Sequence, residues 1–399
     1  MKSGLHYETI TTEDQLKNFC GVLADCDTVT FDTEFVSEDT YRPQLCLVQV
    51  AAGDHLAVMD PLEVDVTDFW RFLTTSAHST VVHAGREELR FCLHSVGKRP
   101  DQLFDLQIAA GLVGMEYPAA YSTLTSKLLG KSVPKGETRT DWRRRPLSER
   151  QLEYALSDVI YLEQMRDILH GRLEKLGRTS WMESEMETWQ QEVERYENEE
   201  RWQRVSSISG LSGRAMAIVR ELWRWREDEA EKNDRPVKRI LRDDLIVELA
   251  RRGSADTGSI RAVRGMERRH LQNQIPALAV AIERGLQVPD DLCPQINRRR
   301  SSSHLNVIGQ FLANCLGAIC RSANVAPSLV GTVQHLRDYV AYRLELEGVN
   351  SGLPPVLAQG WRAEVIGQKI DDLLSGKVAV RIQDPRGQEP LAFERIDGI

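Results

Sequence analysis

Asp32 and Glu34 lie two residues apart inside the apolar run VTFDTEFV. A strand puts residues i and i+2 on one face, roughly 6.5–7 Å apart, and turns Thr33 the other way. Two carboxylates side by side in an apolar setting repel each other and lose hydration. A divalent cation offsets both effects, and Mg²⁺ or Mn²⁺ prefers hard oxygen ligands of this kind. The competing reading is a turn cap for one carboxylate and an arginine partner for the other. Three further segments carry groups able to join such a site. VVHAGREELRFC runs from a strand ending at His83 into a helix with Glu87 and Glu88 on its first turn. YALSD sets Tyr154 and Asp158 at i and i+4, on one helical face. ETRTDWRRRPLSER is a basic loop just before it, and Arg143, Arg144 and Arg145 suit bidentate contact with phosphate. His83 reads as a strand-ending residue bonded locally, and Glu137 and Asp141 as structural members of the loop.

These groups need a scaffold, and the hydrophobic pattern supplies one. Thr12, with Glu13 and Asp14 after it, opens a helix to about Leu23. Strands are predicted at 28–35, 44–52, 55–59 and 80–84, with helices at 65–76 and from Gly85 onward. Ser148 and Gln151 form a capping box for one long helix. Its core face carries Leu152, Leu156, Val159, Leu162 and Met165. Strands followed by covering helices predict an α/β sandwich of mixed strand direction. The stretch 178–203 reads as an exposed connecting helix. From about 205 the chain is helical, in two blocks at 207–288 and 302–378. The run RRRSSS at 298–303 reads as a linker and the tail from Pro385 as loose.

A chain of 399 residues is expected to hold two or three domains. With 41% hydrophobic and 28% charged residues, the composition is that of a soluble globular protein. No apolar run reaches the roughly 18 residues of a membrane span. The seven cysteines are scattered without a C-x-x-C pair, which predicts reduced thiols in a cytoplasm. The net charge of −8 conceals strong patterning. Residues 183–200 hold eight acids and one base, a net of −7, whereas 235–270 hold ten bases and five acids, a net of +5. Local patches decide where a polyanion docks, so Lys238, Arg239 and Arg242 are candidate phosphate contacts on a helix. Trp225 is expected in a helical core.

Together FDTEF with its extension TYRPQLCLVQ, HAGREEL, YALSD and the loop ETRTDWRRRPL resemble the ribonuclease D family. That family belongs to the DEDD exonucleases with a tyrosine in the third motif. LWRWREDEAEKNDRPVKRIL and the helices to about 288 are similar to the helicase-and-RNase-D C-terminal (HRDC) domain. The final block, with LAQGWRAEVIG, resembles its second, more divergent copy. The resemblance implies an α/β plus all-α chain, an RNase H-like mixed-sheet exonuclease domain followed by two small helical bundles. The corresponding divisions are 1–177, an acidic connector at 178–204, 205–288, 298–380 and a tail at 381–399.

By the same resemblance, Asp32, Glu34, Glu88 and Asp158 are the four carboxylates that hold two divalent ions, Mg²⁺ or Mn²⁺, and Tyr154 is the motif tyrosine. A phenol of ordinary pKa about 10 suits positioning of the attacking water rather than base catalysis. One departure stands out. The family's second motif normally has aspartate where this chain has Glu88, one methylene longer, with Glu87 beside it as a competing ligand. The implied activity is hydrolysis of RNA from its 3′ end to nucleoside 5′-monophosphates, with tRNA precursors as substrates. The expected enzyme is a cytoplasmic monomer without membrane contact or small-molecule cofactor. The alternatives are an RNA-binding scaffold with a decayed nuclease fold, and the same chemistry on DNA.

Overall fold

The computed structural model describes residues 5–75, 77–133, 136–137, 140–295, 303–346, 354–387 and 389–396. The N-terminal part runs β1 (Glu8–Ile10), α1 (Glu13–Leu23), β2 (Thr28–Val36), β3 (Gln44–Ala52), β4 (His55–Met59), α2 (Thr67–Leu73), β5 (Ser79–Val82), α3 (Arg86–Val96), β6 (Leu103–Asp105), α4 (Leu106–Leu112), α5 (Tyr121–Leu129), α6 (Glu149–Ser157), α7 (Leu162–Lys175) and α8 (Thr179–Asn198). Its six-stranded sheet has the order β1-β4-β3-β2-β5-β6. The pairs β2/β3 and β3/β4 are antiparallel, and β1/β4, β2/β5 and β5/β6 are parallel, so the sheet is mixed. Strand β2 is central. Val29 and Phe31 are buried, and Phe31 meets Phe69 and Trp70 edge-on, centroids 5.6 and 5.7 Å apart. The β2/β3 register shifts between Glu34 and Phe35; such bulges re-aim side chains beside active sites.

The helix predicted from Ser148 is interrupted. Its capping box forms, but α6 stops at Ser157 and α7 starts at Leu162. The apolar period runs through the break, so pattern alone does not reveal it. Side chains take over helix carbonyls there: Ser157 Oγ donates to Tyr154 O (2.7 Å) and the Tyr121 hydroxyl to Ser157 O (2.7 Å). Asp158 and Val159 N–H then bond three residues back, to Ala155 and Leu156, as a tightening last turn does.

Helix α8 is not the exposed connector that its acidity predicts. Met182, Glu185, Met186, Gln190 and Val193 are buried. Its acids meet bases on other elements: Glu185 binds Arg362 (2.7 and 2.8 Å), Glu197 binds Arg90 (2.7 Å) and His94 (2.8 Å), and Glu187 binds Arg99 (3.2 Å). Paired this way, charged residues can be buried.

A short turn at Trp202–Arg204 leads to α9 (Gly213–Lys232), α10 (Val237–Ile240), α11 (Asp243–Arg252), α12 (Thr257–Arg261), α13 (Arg269–Gln272) and α14 (Ile275–Gln287). These helices enclose a core of their own, including Ile218, Leu222, Ile246 and Ile282, with Trp223 and Trp225 half-buried against it. RRRSSS lies outside the described residues except Ser303, which opens α15 (Ser303–Ser322). After α16 (Pro327–Val330) and α17 (Val333–Arg343) come helical turns spanning 360–374. This block shares its core with the N-terminal part: Leu312, Ile319, Leu329, Val340 and Ile366 join the cluster that holds Ala109, Leu112 and Val113. Buried Arg178 adds a clamp, donating to the carbonyls of Leu112, Ala323 and Asn324. The tail is also more ordered than expected. Val378–Ile382 (β7) and Leu391–Arg395 (β8) pair as an antiparallel hairpin around the turn at Pro385, whose Asp384 accepts from Arg386 N (2.9 Å).

Candidate active site

Strand β2 carries Asp32 and Glu34 to the sheet surface where the α6–α7 break delivers Asp158. One carboxylate oxygen from each of the three lies within 4.8 Å of the other two. The break has a consequence here: Asp158 is the residue after the last turn of α6, and its carboxylate accepts a hydrogen bond from the Tyr154 hydroxyl one turn earlier. Glu88 is buried on the first turn of α3. Its carboxylate does not join the three-acid cluster; Oε1 accepts from Thr33 Oγ1 at 2.5 Å, behind the strand positions of Asp32 and Glu34. The longer side chain thus has a defined partner. Glu87 is held away by Arg90, both of its carboxylate oxygens accepting from Nη1 (2.7 and 3.0 Å).

The electrostatics follow from placing four acids together away from bulk water. Burial, then the Asp158 charge, raises Asp32 to about 7. Burial, then Asp32, Asp158 and Glu88, raises Glu34 to about 9. Burial, then Asp32, raises Glu88 to about 8. Burial raises Asp158 to about 6 against the stabilising Tyr154 hydroxyl. Like charges at this spacing cannot all ionise cheaply without a counter-ion. The donor set is all oxygen, which fits hard divalent cations. Gln49 adds a second sign of fit: its Nε2 donates to Asp32 Oδ2 (3.1 Å) while its buried Oε1 has no protein partner.

Sequence reasoning names neither Gln49 nor Thr33 as a site residue. The signal for Gln49 was present, a fully buried polar side chain in the apolar strand LCLVQVA. Thr33 carried none, because its partner lies 55 residues away. His83 is structural, as expected, with Nε2 2.9 Å from Ala119 O and its ring edge-on to Tyr121.

The arginines separate into types. Arg145 is engaged as a structural clamp. Its five N–H donors go to Asp60 Oδ2 (2.5 Å) and Oδ1 (2.7 Å) and to the carbonyls of Trp142, Arg144 and Cys46. Arg143 binds Asp141 (2.8 Å), and Glu137 binds Arg150 (3.1 Å). Arg144 reaches Asp141 only loosely, at 3.7 Å, and its side chain is 84% exposed. Lys238 and Arg239 lie on α10 and are exposed. Arg242 precedes α11 instead of sharing that helix and pairs with Asp244 (2.9 Å). Arg239 pairs with Asp39 (2.9 Å) in the β2–β3 loop, and Arg42 in that loop pairs with Glu231 of α9 (2.8 Å), so loop and helical domain are tied together.

A sequence-family model described as 3′–5′ exonuclease matches residues 7–174, and one described as HRDC domain matches 215–282. The chain is 35% identical over 383 residues to a ribonuclease D of Jannaschia sp. (strain CCS1), covering 93% of this chain and 96% of the relative. The chain belongs to the ribonuclease D family. A ribonuclease D of Granulibacter bethesdensis is 33% identical over 379 residues, covering 94% of each chain. The crystal structure of Escherichia coli RNase D, described as an exoribonuclease involved in structured RNA processing, superimposes with a TM-score of 0.80. It shares 26% identity and covers 93% of this chain and 99% of that one. Family and fold make this protein a hydrolase, a 3′–5′ exoribonuclease that uses divalent metal. No helix among the described residues is long and apolar enough to cross a membrane.

Proposed function

We propose that Asp32, Glu34 and Asp158, with Glu88 completing the set from α3, hold two divalent ions, Mg²⁺ or Mn²⁺, against the terminal phosphodiester of an RNA 3′ end. The observation that carries this reading is the convergence of three carboxylates from positions 32, 34 and 158 to within 4.8 Å. Ions bound there lower the pKa of the attacking water and stabilise the leaving 3′ oxygen. The protein's own groups do the rest. Asp32 is held in place by Gln49. The Asp158–Tyr154 hydrogen bond sets the tyrosine hydroxyl at the rim of the site, where it orients water. Thr33 keeps Glu88 from drifting toward solvent.

The substrates are structured RNAs, as for the Escherichia coli enzyme, with precursor tRNA 3′ ends as the physiological class, and the enzyme acts as a cytoplasmic monomer. Arg144 and Lys238 are exposed cations that can meet RNA phosphates. The test is Mn²⁺-dependent release of nucleoside 5′-monophosphates from a 3′-labelled RNA. Wild type releases them one at a time, and Asp32→Ala releases none; equal release by both would remove Asp32 from the mechanism.

A further inference from the structure

The first turn of α3 has a second face. Glu88 is buried against Thr33 of β2, whereas Arg86, two residues earlier, points to α8 and the segment entering the helical domain. Its guanidinium lies 4.7 Å from the centroid of the Tyr196 ring. Arg201 and Arg204 approach the same ring, at 3.9 and 4.9 Å. A ring has two faces with negative potential, so three cations on one tyrosine exceed what it can neutralise. Carboxylates make up only part of the difference, with the Glu227 charge near Arg201. Among the described residues, none of the three guanidiniums forms an ion pair or donates a side-chain hydrogen bond. This contrasts with Arg145, whose donors are all used. The cleft beside them, about 490 Å³, is lined by Arg86, Glu192, Arg195, Tyr196, Glu199 and Arg204. Glu199 is partnered by Arg195 (3.7 Å), which leaves Glu192 as the one lining acid without such a partner among the described residues. In a chain of net charge −8, three arginines gathered on one ring without an ion pair of their own among the described residues call for an anion.

We propose that Arg86, Arg201 and Arg204, gathered on Tyr196, form a phosphate-binding subsite for the RNA strand upstream of its 3′-terminal nucleotide. The inference rests on the exoribonuclease activity and adds a path to it. Arg86 and Glu88 share one helical turn, so the subsite adjoins the cleft at about one helix diameter, roughly 10 Å. The strand then leaves the cleft across the N-terminus of α3 and passes between the nuclease and helical domains. Guanidiniums suit this task because they bind phosphate in a fork and stack on flat surfaces.

The experiment compares wild type with the triple variant Arg86→Ala, Arg201→Ala, Arg204→Ala. Binding of a 12-nucleotide single-stranded RNA is followed by fluorescence anisotropy in EDTA across a salt series. Loss of three phosphate contacts on a single strand lowers the salt slope by about 2 and weakens binding by about 10–100-fold at moderate salt. The same variant hydrolyses a dinucleotide, too short to reach the subsite, at the wild-type kcat with Mn²⁺. Unchanged affinity and slope overturn the proposal. Should the triple variant melt early, the exposed Arg204→Ala alone decides, with a slope decrease of about 0.7 expected and none overturning it. Wild type that releases no mononucleotides would instead sink the enzymatic reading; normal release with an unaltered slope sinks the subsite alone.

Discussion

Replacing Asp32 with asparagine should stabilise the metal-free protein while sharply reducing turnover. Asp32 shares its pocket with Glu34, Asp158 and Glu88, and burial with the Asp158 charge raises it from 3.8 to about 7. Because the folded value lies above the unfolded one, the favourable contribution is complete below pH 3.8 and is lost progressively up to pH 7. Above pH 7 the ionised group therefore costs the folded state about 4 kcal/mol, at ~1.36 kcal/mol per pKa unit. The acids of the cluster titrate together, so part of this cost is shared with Asp158 and Glu34, and about 2–4 kcal/mol is the working range. Asparagine avoids the cost without changing shape. Its carbonyl still accepts from Gln49 Nε2, and its amide can donate to a neighbouring carboxylate. At roughly 2–4 °C per kcal/mol for a domain of this size, Asp32→Asn should melt about 4–16 °C higher in EDTA at pH 8. At pH 4.5 the difference should shrink below about 1 kcal/mol, because native Asp32 is then protonated. Mononucleotide release should fall by about 10³-fold, the scale of several kcal/mol of lost ionic stabilisation. Differential scanning fluorimetry at the two pH values reads the result. An Asp32→Asn protein that is neutral or less stable at pH 8, or equally stabilised at both, would refute the argument that these acids are held against their own repulsion.

The remaining predictions concern the same site and its supports. All four acids have raised values, about 6 to about 9, so metal-free stability should decline between pH 5 and 9 and Mn²⁺ should raise the melting temperature more at pH 8 than at pH 5.5; a pH-independent Mn²⁺ shift would count against the cluster as the binding site. Thr33→Val removes the hydroxyl that holds Glu88 and should weaken Mn²⁺ binding about 10-fold or more by calorimetry, the usual scale for groups that orient ligands; unchanged affinity would show that Glu88 needs no anchor. Arg145→Met removes the ionic partner of Asp60, leaving its carboxylate only the Leu62 N–H, and takes a donor from the Cys46 carbonyl; it should cost about 3 kcal/mol in urea unfolding. Its RNA salt slope should match wild type, and a reduced slope would return Arg145 to the phosphate contacts.

Local physics made much of this molecule readable. The apolar alternation at 28–36 and 44–52 and the i, i+2 acids required only the strand period, and the capping boxes at Thr12 and Ser148 only helix-end chemistry. What escaped depends on distant partners. The α6–α7 break is made by the Tyr121 hydroxyl, 36 residues from Ser157, while the apolar period continues through it. Helix α8 looks solvent-exposed from its acidity, yet Glu185 and Glu197 are neutralised by Arg362 and Arg90 from other elements. Strands β1 and β6, three residues each, are too short to show a period. Glu88 is the instructive case at the site. Its position was legible from HAGREEL, but its contact with Thr33 arises only once α3 is laid against β2.

The account depends most on the ions' location. Anomalous diffraction from a Mn²⁺-soaked crystal containing a short 3′-ended oligonucleotide tests that directly. The account predicts manganese peaks coordinated by Asp32, Glu34 and Asp158 beside the terminal phosphate. Peaks elsewhere, or an RNA 3′ end bound far from these carboxylates, would contradict it.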